Sequence, residues 1–160
     1  MHPNRRHLVA PAVRRDVITD LMIRPAELDD ADDLAALLVE SYTGSTGAPS
    51  AEELDAALME IHKFFGGLYG EPILAASMVA DSGARIAAAS LVGRYQGTPL
   101  LAVVLTASPW KGLGAAFAVV QSSMNALVEA GETSLALIIT AANRPALELM
   151  DRLRFEEIGG

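Results

Sequence analysis

A chain of 160 residues, 51% of them hydrophobic and 20% charged, fits one packed domain and argues against disorder. With no cysteine, disulfides, thiolate metal sites and cysteine nucleophiles are excluded, and three scattered histidines, His2, His7 and His62, suggest no metal centre. The net charge of −8 repels nucleic acid, and no apolar run reaches the ~18 residues of a membrane span. A cytoplasmic protein with neither nucleic acid nor membrane as partner is expected.

The charge is uneven. The first 20 residues hold Arg5, Arg6, Arg14 and Arg15 against Asp16 and Asp20. Residues 1–20 therefore read as a basic, poorly ordered leader, followed by a single domain over residues 21–160. Met22-Ile23-Arg24-Pro25 is a short strand candidate stopped by its proline. Asp29, Asp30, Asp32 and Asp33 then crowd the start of a helix with Leu34 and Leu38 on one face, where acids suit the dipole. Ser50 and Glu53 form a capping box that opens a second helix, with Leu54, Leu58, Ile61 and Phe65 at helical spacing and Gly66-Gly67 as its stop.

The period then changes. Ile73 to Ala80, Arg85 to Tyr95 and Leu100 to Ala107 are apolar runs separated by turn residues, which means antiparallel strands. A glycine loop leads into a helix with Phe117, Val120, Met124 and Leu127 on one side, closed by Gly131. Leu135 to Thr140 is a strand. Asn143 reads as the N-cap of a last helix, and Phe155 to Ile158 begins a final strand. The order is β-α-α-β-β-β-α-β-α-β, one mixed α/β unit with its last strand short or missing.

The glycine loop, Lys111-Gly112-Leu113-Gly114-Ala115-Ala116, admits several readings. A Walker loop fails because Gly114 is followed by Ala115 and Ala116, not by the required Lys-Ser/Thr pair. A dinucleotide fingerprint fails because Phe117 stands at its third glycine and three antiparallel strands come first. A third reading is a cradle of backbone amides at a helix N-terminus, with Lys111 as a nearby cation. A ligand-free strand-to-helix turn stays open beside it.

Two stretches together carry a family resemblance. Ser108 to Ala116 resembles the pyrophosphate loop of the GNAT superfamily of N-acetyltransferases, with lysine at position 111 where Arg or Gln is usual. Asn143, Ala146, Leu149 and Phe155 resemble that family's Asn-x-x-Ala-x-x-Leu helix and closing Gly-Phe. The resemblance runs from Ile23 to the C-terminus and implies a GNAT-like fold. It implies acetyl-CoA or another acyl-CoA as co-substrate, with its pyrophosphate on Lys111 to Ala116. The pantetheine arm would lie along the backbone of Leu105, Thr106 and Ala107, with Asn143 on the other side. An acyl group would pass to a small primary amine by direct attack. The alternative is a catalytically weak module that binds CoA as a regulatory or structural ligand.

The catalytic groups are less legible. Met150 stands where the resemblance expects a tyrosine acid, and Arg154 where it expects a glycine. Substitutes for the acid are Tyr95, Tyr42, Ser108 or solvent. No Asp or Glu occurs between Arg85 and Trp110, so Glu60 and His62 on the second helix are the candidate bases, although plain exposed helix positions explain each of them better. Eleven acids lie between Glu27 and Glu71, which favours a cationic amine by steering. The family's further C-terminal strand is not matched, and an open edge there suggests a homodimer.

Overall fold

The computed structural model describes residues 5–43, 49–140 and 149–157. Its elements are strand β1 (Arg5–Pro11), β2 (Met22–Pro25), helix α1 (Ala31–Thr43), α2 (Ala51–Phe65), β3 (Glu71–Pro72), β4 (Met78–Asp81) and β5 (Ile86–Tyr95). They continue with β6 (Thr98–Thr106), α3 (Ala115–Glu129), β7 (Ser134–Thr140) and β8 (Glu156–Glu157), and residues 149–152 are helical. One sheet runs in the order β2-β4-β5-β6-β7-β1-β8, with β3 paired to β5. Among the described residues, no helix is long and apolar enough to cross a membrane.

Helices cover both faces, so there are two cores. On one side α3 packs Val120, Met124 and Leu127 onto Leu8, Ala88, Leu101, Leu135 and Leu137. On the other, Leu34, Leu37, Ile61 and Phe64 of α1 and α2 meet Val79, Ala89, Leu91 and Leu105. Strand β5 lies between both layers, and its first eight residues are buried without alternation, as a centrally placed strand requires. Ala87, Ala88 and Ala89 are fully buried. The first two helices begin as their sequences suggest: Ser50 accepts from Glu53 N, and Asp30 accepts from both Arg24 (2.8 Å) and Glu27 N (2.8 Å). Gly70 is obligatory, because its φ is +95° and a Cβ there would lie 2.1 Å from the Arg94 carbonyl oxygen.

Three expectations need correction. The first concerns the leader. Residues Arg5–Pro11 form β1, antiparallel to β7 over seven pairs from Arg5↔Thr140 to Pro11↔Ser134. Leu8 and Ala10 enter the α3-side core. The chain then crosses α3 as a strap. Asn125 accepts from Arg15 N (3.0 Å) and donates to Arg15 O (2.8 Å), while the buried Gln121 donates to Val13 O (2.9 Å). Arg14 adds an ion pair to Glu129 at 2.9 Å. Alternating Leu8 and Ala10 supply the burial, and the arginines that suggested a solvated leader belong to a strand and a strap.

The second correction follows from the first. Strand β1 covers the edge of β7 and pairs on its other side with β8, Leu8↔Glu157 and Val9↔Glu156. The edge of β7 is therefore covered by the chain itself, and the sheet ends on that side at β8.

The third is local. The run Ile73 to Ala80 is not one strand: Leu74–Ala76 is a 3-10 turn, and only Met78–Asp81 pairs as β4. Buried Ser77 explains the break. Its hydroxyl accepts from Val92 N (3.0 Å) and donates to Ile73 O (2.9 Å), so a side chain takes the place of ladder bonds.

The last helix ends in a Schellman motif, with Phe155 N donating to Met150 O and Arg154 N to Asp151 O. Arg154 sits at φ +67°, the left-handed region that favours glycine. Arg154→Gly should therefore raise stability by about 0.5–1 kcal/mol, read as a higher urea midpoint at unchanged slope. Leu8→Ala should lower it by about 2–4 kcal/mol in the same assay. A leader outside the fold would give no change.

Candidate functional site

The site is built where β6 and β7 part. They are the parallel pair of the sheet, and they pair only at Leu100↔Ala136 and Leu101↔Leu137. A bulge in the β5–β6 ladder sits at the same level, with Leu91 opposite Val103 and Val92 opposite Leu101, so Ala102 is the extra residue. Beyond it β6 continues alone on its β7 side to Thr106, a gap of five residues or about 17 Å.

Register decides which backbone groups face that gap. Ala107 N donates to Ala87 O at 2.8 Å, so it points toward β5. Alternation along the regular stretch then turns Val104 and Thr106 toward the gap, and Leu105 toward β5. Leu105 itself is fully buried beneath α1 and α2. Of the three backbone positions expected along the arm, Thr106 is the one turned toward the gap, with its amide donating to Ser41 Oγ (3.4 Å). Val104 joins it, and the sequence carried no signal for Val104 because the bulge sets the phase.

At the end of β6 the chain makes a 3-10 turn, Ser108–Trp110, and then the glycine loop. Gly112 (φ +79°) and Gly114 (φ +83°) take conformations that other residues rarely adopt, and a Cβ on either would meet open space. Gly114 is the N-cap of α3 and offers no side-chain acceptor. The helix also has no acid in its first turn, whereas α1 has Asp32 and Asp33, and α2 has Ser50, Glu52 and Glu53. The first-turn amides of α3 thus point toward an exposed loop with the positive end of the dipole uncompensated. Lys111, Gly112 and Leu113 are exposed, Leu113 at 72% despite its apolar side chain.

Helix α1 holds this loop in place. Glu40 accepts from Ser108 N at 2.5 Å and from Arg85 at 3.0 Å. Ser41 accepts from Lys111 Nζ through its carbonyl (3.3 Å) and from Thr106 N through its hydroxyl (3.4 Å). Burial pushes the Glu40 carboxyl up, but the Ser108 amide and Arg85 outweigh it and hold the pKa below the ordinary glutamate range. Trp110 packs against both cores and wedges the loop onto the sheet. Ser108 Oγ is buried beside Glu40, where its hydroxyl also helps to lower the carboxyl pKa, though the contact is too poorly aligned for a full hydrogen bond. Glu40 and Ser41 escaped the sequence reading because a polar residue on a helix gives no sign of what it grips.

The other candidates lie elsewhere. Glu60 accepts from Tyr69 O–H and from Lys63 (3.1 Å), which lower its pKa and weaken it as a base. His62 is an exposed residue of α2. Tyr95 is 49% exposed at the β5–β6 turn, at the opposite end of β6 from the loop. Met150 is buried in the α3-side core against Phe155, its partner in the helix cap, so it has a packing role. Asn143, Ala146 and the Tyr42 side chain lie outside the described residues.

A model of the FR47-like protein family matches residues 79–159, half of the chain, and this stretch holds the gap, the loop and α3. The chain belongs to the FR47-like family, within the GNAT superfamily. No curated protein matches it in sequence. Among solved structures it is similar to a protein from Pyrococcus horikoshii OT3, called PH1933, at TM-score 0.72 and 14% identity. That match covers 88% of this chain and 92% of the other. It is similar to a GCN5-related N-acetyltransferase from Sphaerobacter thermophilus, at TM-score 0.68 and 15% identity over 96% of this chain. The chain spans about half (48%) the length of that protein. An N-acetyltransferase from Staphylococcus aureus Mu50 matches at TM-score 0.62 and 17% identity, covering 88% of this chain and 86% of its own. At these identities the likeness speaks to the fold, which is the mixed α/β GNAT fold.

The α1 grip has a testable cost. Glu40→Gln should destabilise the protein by about 1.5–3 kcal/mol at neutral pH, because the bonded carboxylate loses its charge. Since the folded-state pKa is lowered, this stabilisation is present above the unfolded value of 4.5 and fades as pH falls through the folded one. Urea midpoints of wild type and variant should therefore converge in acid.

Proposed function

We propose that the protein transfers an acyl group from an acyl-CoA, such as acetyl-CoA, to a primary amine. The observation that carries this reading is the bare N-terminus of α3 at the end of the β6–β7 gap. Phosphate groups suit uncapped first-turn amides, and the glycines at 112 and 114 leave the approach clear of any Cβ. Lys111, on the same loop, adds a cation beside the phosphates.

The gap fits the rest of such a molecule. An extended arm with amide groups can pair with Val104 and with the carbonyl of Thr106, whose amide Ser41 already holds. The acyl-CoA supplies an activated thioester carbonyl at the far end of the arm.

The Val104 amide, turned toward the gap just beyond the bulge, is a donor that can stabilise charge on the carbonyl oxygen. The amine nitrogen attacks the carbonyl carbon, a C–N bond forms and the C–S bond breaks. The amine gives up a proton and the thiolate takes one. With Met150 buried in the core and Glu60 held by Tyr69 and Lys63, this reading leaves both transfers to solvent. The eleven acids between residues 27 and 71 favour a cationic amine.

Thermal melting tests the reading. Acetyl-CoA at a hundredfold excess over its Kd should raise Tm by roughly 5–10 °C. Gly114→Glu, which sets a carboxylate against the phosphates, should remove the shift, and Lys111→Ala should weaken binding several-fold. No shift with the wild type, at any acyl-CoA concentration up to millimolar, overturns the proposal.

A further inference from the structure

A cavity of about 420 Å³ opens on the sheet at the point where β6 and β7 rejoin. Its floor is Val9 of β1, Leu100 of β6, and Ala136 and Ile138 of β7, with His7 and Tyr95 among its polar residues. The side follows from alternation. Leu8, Leu101, Leu135 and Leu137 pack into the α3 core, so their neighbours Val9, Leu100 and Ala136 face the opposite way. On that side α1 and α2 cover β4 and β5, but among the described residues no helix residue lines the cavity. All four floor residues are only half-buried. Among the described residues, no carboxylate, lysine or arginine lines it.

The volume is that of a small-molecule pocket, in the range of about 300–1,000 Å³, and its floor is apolar. Its position is specific. Ile138 lies one residue beyond the last β6–β7 pair, so the cavity begins where the gap ends and runs on toward the β5–β6 turn. An arm lying in the gap is stopped where Leu101 and Leu137 pair. Whatever it carries at its tip must leave the gap there, onto the face where the cavity opens.

We infer that this cavity receives the acyl group, and that the acyl group is an apolar one several carbons longer than acetyl. The inference rests on the acyl-CoA reading above. An acetyl group would leave the strip from Val9 to Ile138 wet, whereas a chain of about six carbons would cover it. The apolar side chains of Val9, Leu100, Ala136 and Ile138 suit a hydrocarbon better than a cationic amine. The two substrates then divide by charge, with the acyl chain over β1, β6 and β7 and the amine from the acid-rich side.

Isothermal titration with acetyl-CoA and hexanoyl-CoA tests this in the full chain. The expected affinity ratio is at least about tenfold in favour of hexanoyl-CoA, from the added methylenes buried. Ala136→Phe and Val9→Phe, on two different strands, fill the cavity from separate sides, and each should bring the ratio close to one. Equal affinities in the wild type overturn the acyl-pocket inference while leaving the acyl-CoA reading intact. Binding of neither thioester overturns that reading itself. A ratio that survives both substitutions, or a loss confined to apolar amines in a parallel titration, shows that the chain lies elsewhere and also overturns the inference. If one variant binds no CoA thioester at all, the ratio in the other decides.

Discussion

Strand β7 shares two residue pairs with β6 and seven with β1, and the geometry of the site depends on that imbalance. A strand held by two pairs alone would be free to zip further onto its neighbour or to fray. The ladder from Arg5↔Thr140 to Pro11↔Ser134 fixes the whole of β7 from the outside, so its inner edge is left to diverge from β6. Leu8 and Ala10 anchor that outer strand in the same core that Leu135 and Leu137 enter. The gap is thus a product of pairing on its far side.

The loop at the mouth of the gap is governed by a different set of forces. Helices α1 and α2 compensate their own N-termini with acids and a serine, and α1 also sends Glu40 and Ser41 from near its C-terminal end to hold the loop. Helix α3 has neither acid nor cap in its first turn. The protein therefore rigidifies the approach to α3 while leaving its amides open. Trp110, in contact with both cores, couples that approach to the packing of the entire sheet.

Much of this was legible in the residues. The capping box at Ser50 and Glu53, the turn after Asp81 and the glycines before α3 act locally, and local chemistry can be read from local sequence. The elements that escaped are those fixed at long range. Four residues, His7 to Ala10, carry too short an alternation to announce a strand, and β1 becomes one only because β7 offers it an edge well over a hundred residues away. Ser77 broke an apolar run because Val92 is opposite it, and Glu40 became part of the site because Ser108 is. Arg154 was visible as a departure from a glycine, and its positive φ gives the reason that glycine is the ordinary choice.

The pairing of β1 with β7 and β8 also sets an order on folding. During synthesis β1 is complete long before its partner exists; at about 5–20 residues per second the wait from Leu8 to Leu137 is roughly 6–25 s. Through that interval the nascent chain carries a strand with an unmet edge and two apolar residues bound for a core that has not formed. Arg5 and Arg6 at its head are charges of the kind that keep such a segment from pairing with another chain. Closure of the sheet is then a late, non-local step, and the gap between β6 and β7 acquires its shape only when that step is complete.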